Sequence, residues 1–85
     1  MIHLIEARYE GEFRIWCRFS DGKEGVVDLR DELYGEVFAP LKNPEIFQRF
    51  RVGAVSRTLE WDNGADLAPE FLYESVQSPI QTGSR

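Results

Sequence analysis

The sequence predicts an α+β domain with an antiparallel sheet of four to five strands, beginning with a three-stranded meander, and two short helices. Residues from Phe13 to Phe19 alternate between apolar and polar side chains, which is typical of a strand with one buried face. Asp21-Gly22 follows at once and indicates a hairpin turn. Asn43-Pro44-Glu45 and Pro69 have the composition of helix starts, because Asn caps free N–H groups and Pro fits the first turn.

Length and composition predict one compact domain over residues 1–76, followed by a polar, flexible tail over residues 77–85. Apolar residues make up 42% of the chain and charged residues 29%, as in ordinary globular proteins. No apolar run approaches the roughly 18 residues that a membrane-spanning helix needs, and no leader peptide is recognisable. Together with the single cysteine, Cys17, these features predict a soluble, cytoplasmic protein without an internal disulfide bond.

The turn between the second and third strands decides which side chains share a face of the sheet. A two-residue Asp21-Gly22 loop would place carboxylates among apolar side chains, which is costly. A three-residue loop that includes Ser20, with Gly22 left-handed, instead pairs Ile15 with Val27 on the buried face. We therefore predict the three-residue loop. The outer face would then carry three facing pairs: Arg14 with Asp28, Arg18 with Glu24, and Trp16 with Val26.

For the first two strands we expect a turn at Glu10-Gly11-Glu12 that pairs Tyr9 with Phe13. This register places Arg8 opposite Arg14, an unfavourable pair of like charges. It also predicts an apolar strip on the outer face, made of Leu4, Trp16 and Val26.

The second half of the chain predicts short elements separated by turns. Asn63-Gly64 is a tight turn. We expect a helical turn at Arg30 to Tyr34, a helix after Asn43, one or two strands at Val52 to Val55 and Arg57 to Trp61, and a helix from Pro69. Their predicted buried side chains are Ile46, Phe47 and Phe50 in the first helix and Phe71, Leu72 and Val76 in the second.

The charge balance bears on the class of partner. Fifteen acidic residues against ten basic ones give a net charge of −5. That charge disfavours a dedicated nucleic-acid binder, whose affinity depends on phosphate neutralisation, and an anionic membrane surface. A basic protein partner is electrostatically favoured.

Arg14, Trp16 and Arg18 form the most informative constellation, since alternation places all three on the outer face. With Leu4 and Val26 they form a candidate protein interface, because Trp and Arg are enriched at interfaces. The same side chains could instead stack on nucleic-acid bases. A purely structural alternative pairs both arginines with cross-strand acids and packs Trp16 under the second helix.

Trp61, Asn63 and Asp66 form a second candidate, a small ligand site at the Asn-Gly turn. The structural alternative is that Trp61 closes the end of the core while Asp66 caps or braces the next segment. The acidic residues around the turn lack the spacing of a calcium-binding loop, so we expect no metal site.

Catalytic motifs are not evident. His3 and Cys17 are too few for a zinc site, and a buried, inert Cys17 is the expected state of the thiol. We therefore expect neither catalytic residues nor a cofactor, and we predict that the protein is not an enzyme.

Several short motifs occur in an order that resembles a family of small bacterial proteins, domain-of-unknown-function family 2442. They are Phe19-Ser20-Asp21-Gly22, Val27-Asp28-Leu29, Phe38, Leu41, Phe47, Val52, the run from Trp61 to Glu70, and Leu72-Tyr73. The resemblance covers about residues 2–76 and implies a compact α+β domain without an established activity. It also implies that some members are small accessory proteins, antitoxin-like partners of neighbouring gene products.

The sequence thus predicts a non-catalytic protein-interaction module that binds a protein partner or a second copy of itself. Nucleic-acid binding through Arg14, Trp16 and Arg18 is the first alternative. A small ligand-binding domain at residues 61–66 is the second alternative.

Overall fold

Three antiparallel strands form the main sheet in a computed structural model that describes residues 1–82 and the side chains of residues 1–76. The strands are β1 (Leu4–Gly11), β2 (Arg14–Phe19) and β3 (Glu24–Asp28), and they lie in the order β1-β2-β3. The predicted N-terminal meander is therefore confirmed.

The register between β2 and β3 is the predicted one. Ile15 lies opposite Val27, and Trp16 lies opposite Val26. Gly22 adopts a left-handed φ of 94°, and its N–H donates to the Phe19 carbonyl at 2.9 Å. The three-residue loop therefore places apolar side chains on one face and polar side chains on the other.

The predicted register between β1 and β2 is wrong by two residues. Tyr9 lies opposite Ile15 rather than Phe13. The turn lies later in the chain, because Gly11, Glu12 and Phe13 all adopt positive φ angles, of 92°, 55° and 64°. Left-handed backbone is costly for Glu and Phe. The Phe13 ring packs edge-on against Phe47, with ring centroids 5.1 Å apart, and this contact stabilises the turn.

An irregularity near the start of β1 changes the face on which Leu4 lies. Leu4 pairs with Phe19 and Glu6 with Arg18, so Ile5 is an extra residue without a direct partner. As a result Leu4 is 1% exposed in the core, whereas Ile5 is 45% exposed. The placement of Leu4 on the outer face was wrong, and the predicted apolar strip with Trp16 does not form.

Two further strands form a separate sheet, so the prediction of one sheet with four to five strands was wrong in its arrangement. They are β4 (Arg51–Val52) and β5 (Leu59–Glu60), both shorter than predicted. The chain between them turns back early: the Gly53 N–H donates to the Thr58 carbonyl, and Arg57 has a positive φ of 58°.

The helices are short, apart from the last one. Turns of 3-10 helix span Arg30–Glu32 and Ala39–Lys42, and α-helices span Pro44–Phe47 (α1) and Pro69–Thr82 (α2). No helix within residues 1–82 is long and apolar enough to cross a membrane. Helix α2 includes residues 77–82, which belong to the predicted flexible tail, and the last three residues of that tail lie outside the described part of the chain.

The start of α1 confirms the predicted cap. The Asn43 side chain accepts a hydrogen bond from the Glu45 N–H at 3.0 Å, and Pro44 occupies the first turn. Phe47 is buried as predicted, but Ile46 is exposed, because a four-residue helix buries only a narrow face.

The core lies between the inner face of the β1-β2-β3 sheet and the elements that follow it. Helix α2 lies against β3, with Leu72 and Val76 buried and Phe71 half-buried. The buried apolar residues are Leu4, Ile15, Cys17, Phe19, Val27, Leu29, Leu33, Leu41, Phe47, Leu59, Trp61, Ala65, Leu72 and Val76.

A hydrogen bond ties α2 to the β2–β3 loop. The Tyr73 hydroxyl donates to Asp21 Oδ2 at 2.7 Å, and the Tyr73 ring packs edge-on against Phe19. This bond, and a second one from the Lys23 backbone N–H, hold the pKa of the Asp21 carboxyl below its usual value. The same bond raises the pKa of the Tyr73 hydroxyl.

Gly25 allows α2 to pack close to the sheet, and a larger side chain at this position tests the contact. A Cβ on Gly25 would lie 2.6 Å from Val76 Cγ1, and a β-branched side chain has little freedom to move away. We expect Gly25→Ala to lower the free energy of unfolding by about 1–3 kcal/mol in urea denaturation. In a Val76→Ala background the same substitution should cost less. An equal cost in both backgrounds would show that this contact does not limit helix packing.

The Asp21–Tyr73 hydrogen bond predicts a pH-dependent contribution to stability. The carboxyl contribution is present above the ordinary Asp pKa of 3.8 and is lost as the pH falls through the lower folded pKa. The hydroxyl contribution is present below the ordinary Tyr pKa of 10.0 and is lost as the pH rises through the higher folded pKa. Tyr73→Phe should therefore destabilise the protein most between about pH 5 and pH 9.

Carboxyl NMR titration measures the same bond directly. In Tyr73→Phe the pKa of Asp21 should rise towards its usual value, whereas Tyr34→Phe, at an exposed tyrosine, should leave it unchanged. An Asp21 titration that is identical in wild type and Tyr73→Phe would contradict the assignment.

Candidate protein-binding face

The side of the main sheet that faces away from α2 carries the first candidate site. We call it the outer face and define it by Arg8, Arg14, Trp16, Arg18 and Val26. The described part of α2 lies on the opposite side, where Val76 approaches Gly25. The structural alternative in which Trp16 packs under the second helix is therefore wrong.

Trp16 lies at the centre of the outer face and is held on two sides. The Arg8 guanidinium carbon lies 4.3 Å from the centroid of the Trp16 ring, within the range of a cation–π interaction. The Trp16 Nε1–H donates to Glu24 Oε1 at 3.1 Å. The ring is half-buried, and its cross-strand neighbour Val26 is 41% exposed. The indole is thus held in place while part of its surface stays accessible.

Arg14 and Arg18 form ion pairs, but with partners other than those predicted. Both lie opposite the expected acids on β3. Arg18 nevertheless contacts Glu6 at 3.1 Å, and Arg14 contacts Glu12 at 3.2 Å. All four side chains are substantially exposed, so each pair contributes only about 0–1 kcal/mol. Their main effect is to neutralise the two guanidinium groups.

The acids of β3 have other roles. Glu24 accepts the Trp16 indole N–H, and Asp28 Oδ1 accepts the backbone N–H of Arg30 at 3.0 Å. The three arginines of the outer face are accompanied by four carboxylates: Glu6, Glu12, Glu24 and Asp28. The outer face is therefore not a basic surface.

Sequence reasoning missed the contact between Arg8 and Trp16. The incorrect β1–β2 register placed Arg8 opposite Arg14, whereas the structure places it opposite Trp16. The predicted like-charge pair therefore does not exist. The Arg8–Trp16 contact could have been predicted only from the correct β1–β2 register, which depends on the unusual turn at Glu12 and Phe13.

At the second candidate site, Trp61 closes part of the core. It is 3% exposed, and its Nε1–H donates to the Phe47 carbonyl at 2.8 Å. Asn63 donates to the Val37 carbonyl at 2.9 Å and accepts the Ala65 N–H, which fixes the turn. These contacts give both side chains a structural role.

The surface beside that turn is an open depression of about 210 Å³, lined by Ile46, Arg49, Trp61, Asp62 and Asn63. Asp66 does not line it. Pockets for small molecules usually measure about 300–1,000 Å³. The small-ligand hypothesis stays a prediction, and the geometry gives it little support.

His3 and Cys17 lie in different surroundings. Burial raises the pKa of the Cys17 thiol to about 12, so the thiol stays protonated and unreactive at neutral pH. The His3 ring faces Arg57, with Nδ1 3.5 Å from Nη1. Within the described residues, no group of three or more His, Cys, Asp or Glu side chains could hold a metal ion.

Taken together, these elements define a small α+β domain whose main sheet has a helix on one face and an aromatic, charge-paired surface on the other. A family model described as "Protein of unknown function (DUF2442)" matches residues 4–78. The chain belongs to the DUF2442 family, which confirms the resemblance seen in its motifs.

A solved structure shares the fold. It is the crystal structure of a protein from Nitrosomonas europaea ATCC 19718 named a "putative DNA binding protein", with a TM-score of 0.79 and 24% sequence identity. The match covers 98% of this chain and 52% of that one, so this chain spans about half the length of the solved protein. Among curated proteins, no relative matches.

Proposed function

We propose that this domain is a non-catalytic protein-interaction module that binds a protein partner through the outer face. The observation that carries the proposal is the fixed, partly accessible Trp16, which lies under Arg8 and donates to Glu24. Interfaces are enriched in tryptophan and arginine, and their energetic centres are often such side chains.

The polar surroundings of Trp16 suit a protein partner. The ion pairs Arg18–Glu6 and Arg14–Glu12 form a neutralised rim, which a partner can cover without leaving a lone charge. Because Trp16 is already held by Arg8 and Glu24, binding would cost little side-chain entropy. Val26 adds exposed apolar surface beside the ring.

The specific form of the proposal is an antitoxin-like accessory role in the bacterial cytoplasm, with the product of a neighbouring gene as the partner. A reduced Cys17 in the core is compatible with that compartment. Self-association through the same face would be the homomeric version of this interaction.

Truncation of Trp16 tests the proposal. Affinity purification of the tagged protein from its native host, followed by quantitative mass spectrometry, should recover a partner. Alternatively, sedimentation should show a dimer. Trp16→Ala should weaken either association by at least about 30-fold, since truncation of a central interface residue typically costs about 2 kcal/mol or more.

Val55→Ala is the matched control, because it removes apolar surface from an exposed residue outside the outer face. It should leave the association unchanged. Circular dichroism and urea denaturation would establish that both variants fold. A folded Trp16→Ala variant that keeps its partner would exclude the outer face as the binding surface.

Nucleic-acid binding is the second candidate, and the name of the Nitrosomonas europaea protein favours it. Two observations weigh against it. The likeness at 24% identity concerns the fold, and 48% of that protein lies outside the match. In addition, the three arginines of the outer face are outnumbered by nearby carboxylates, so few positive charges are free to neutralise phosphates.

Oligonucleotide titration separates the two candidates. We expect no retardation of single-stranded or duplex DNA at about 50 mM salt, conditions that favour electrostatic binding. Retardation that weakens steeply with added salt and disappears in Arg8→Ala would instead identify the outer face as a nucleic-acid surface.

A further inference from the structure

A second surface lies on the α2 side of the molecule. It is a groove of about 250 Å³ between the 3-10 turn after β3, the chain that precedes α2, and the first turn of α2. We call it the acidic groove and define it by Glu32, Tyr34, Phe38, Asp66, Leu67 and Phe71.

The floor of the acidic groove is apolar. Phe38, Leu67 and Phe71 are half-buried and pack against the core, so their positions are fixed. Tyr34 stands at the edge and is 69% exposed. The acidic groove thus combines an apolar floor of fixed side chains with an accessible aromatic ring.

The carboxylates of Glu32 and Asp66 lie beside this apolar floor. Within residues 1–76, whose side chains the structure describes, neither the Glu32 nor the Asp66 carboxylate has an ion pair or a hydrogen bond. We expected Asp66 to cap or brace the next segment. Its backbone instead pairs with Glu60, which leaves its side chain unused by the fold. These charges are available to a partner.

We propose that the acidic groove binds a basic peptide segment of a protein partner, with one aliphatic side chain on the apolar floor and flanking Lys or Arg residues at the carboxylates. The volume suits about one side chain and is below the range typical of small-molecule pockets. The net charge of −5 attracts such a segment over a distance. This surface is separate from the outer face and goes beyond the function proposed above.

NMR titration of the intact protein with the blocked tripeptide Arg-Leu-Arg tests this inference. Saturable shifts of backbone amide signals should be confined to residues 32–38 and 66–71. The blocked tripeptides Arg-Gly-Arg and Glu-Leu-Glu should bind much more weakly, because one lacks the apolar side chain and the other repels the carboxylates.

The variant Glu32→Gln/Asp66→Asn should weaken Arg-Leu-Arg binding by about fivefold, since two exposed ion pairs of about 0.5 kcal/mol each amount to about 1 kcal/mol. Glu10→Gln/Glu45→Gln removes the same charge elsewhere on the surface and should change the affinity less than twofold. Tyr34→Ala provides a second groove variant that removes no charge and should also weaken binding.

Three results would overturn the inference: no saturable shift, equal shifts with Arg-Gly-Arg, or equal weakening by both charge variants. Trp16→Ala distinguishes this inference from the proposed function, because it should leave Arg-Leu-Arg binding intact. Loss of peptide binding in Trp16→Ala alone would assign the peptide to the outer face and exclude the acidic groove.

Discussion

The register of β2 and β3 is the constraint on which the rest of the structure depends. The three-residue loop that ends at Gly22 places Ile15 opposite Val27 in the core. Since side chains alternate between faces, Trp16 and Val26 must then point the other way. A slip of one residue would exchange the two faces and place charged side chains in the interior. The core and the outer face are therefore two consequences of one turn.

The position of helix α2 makes the two faces of the main sheet different. Helix α2 occupies the inner side of the sheet, where Gly25 leaves room for Val76. The Tyr73–Asp21 hydrogen bond fixes the same helix to the β2–β3 loop. Because the apolar face of α2 is satisfied there, the outer face is left without a covering element among the described residues. The partial accessibility of Trp16 is thus a result of helix placement.

The distribution of charge distinguishes the two surfaces. On the outer face each arginine lies close to an acid or an aromatic ring, so the surface carries a fixed pattern with little net charge. In the acidic groove the Glu32 and Asp66 carboxylates have no described counter-ion. The first surface favours a partner of complementary shape, and the second favours a partner of opposite charge.

Sequence reasoning succeeded where the physical cause is local. The Asp21-Gly22 turn and the Asn43 cap depend on residues within a few positions of each other, and both are confirmed. The β1–β2 register was not predictable in this way. Its turn puts Phe13 in a left-handed conformation that is stabilised by Phe47, more than thirty positions away in the chain.

By itself, then, the sequence determined the α+β class, the β2–β3 hairpin, and the placement of Ile15 and Trp16 on opposite faces of β2. Only the tertiary structure decided that Leu4 is buried, that Arg8 covers Trp16, and that β4 and β5 form a separate sheet. The reason is that the neighbouring residues do not favour an extra residue in a strand or an early turn. Such a feature is selected by packing between distant segments, and a single sequence does not reveal which segments meet.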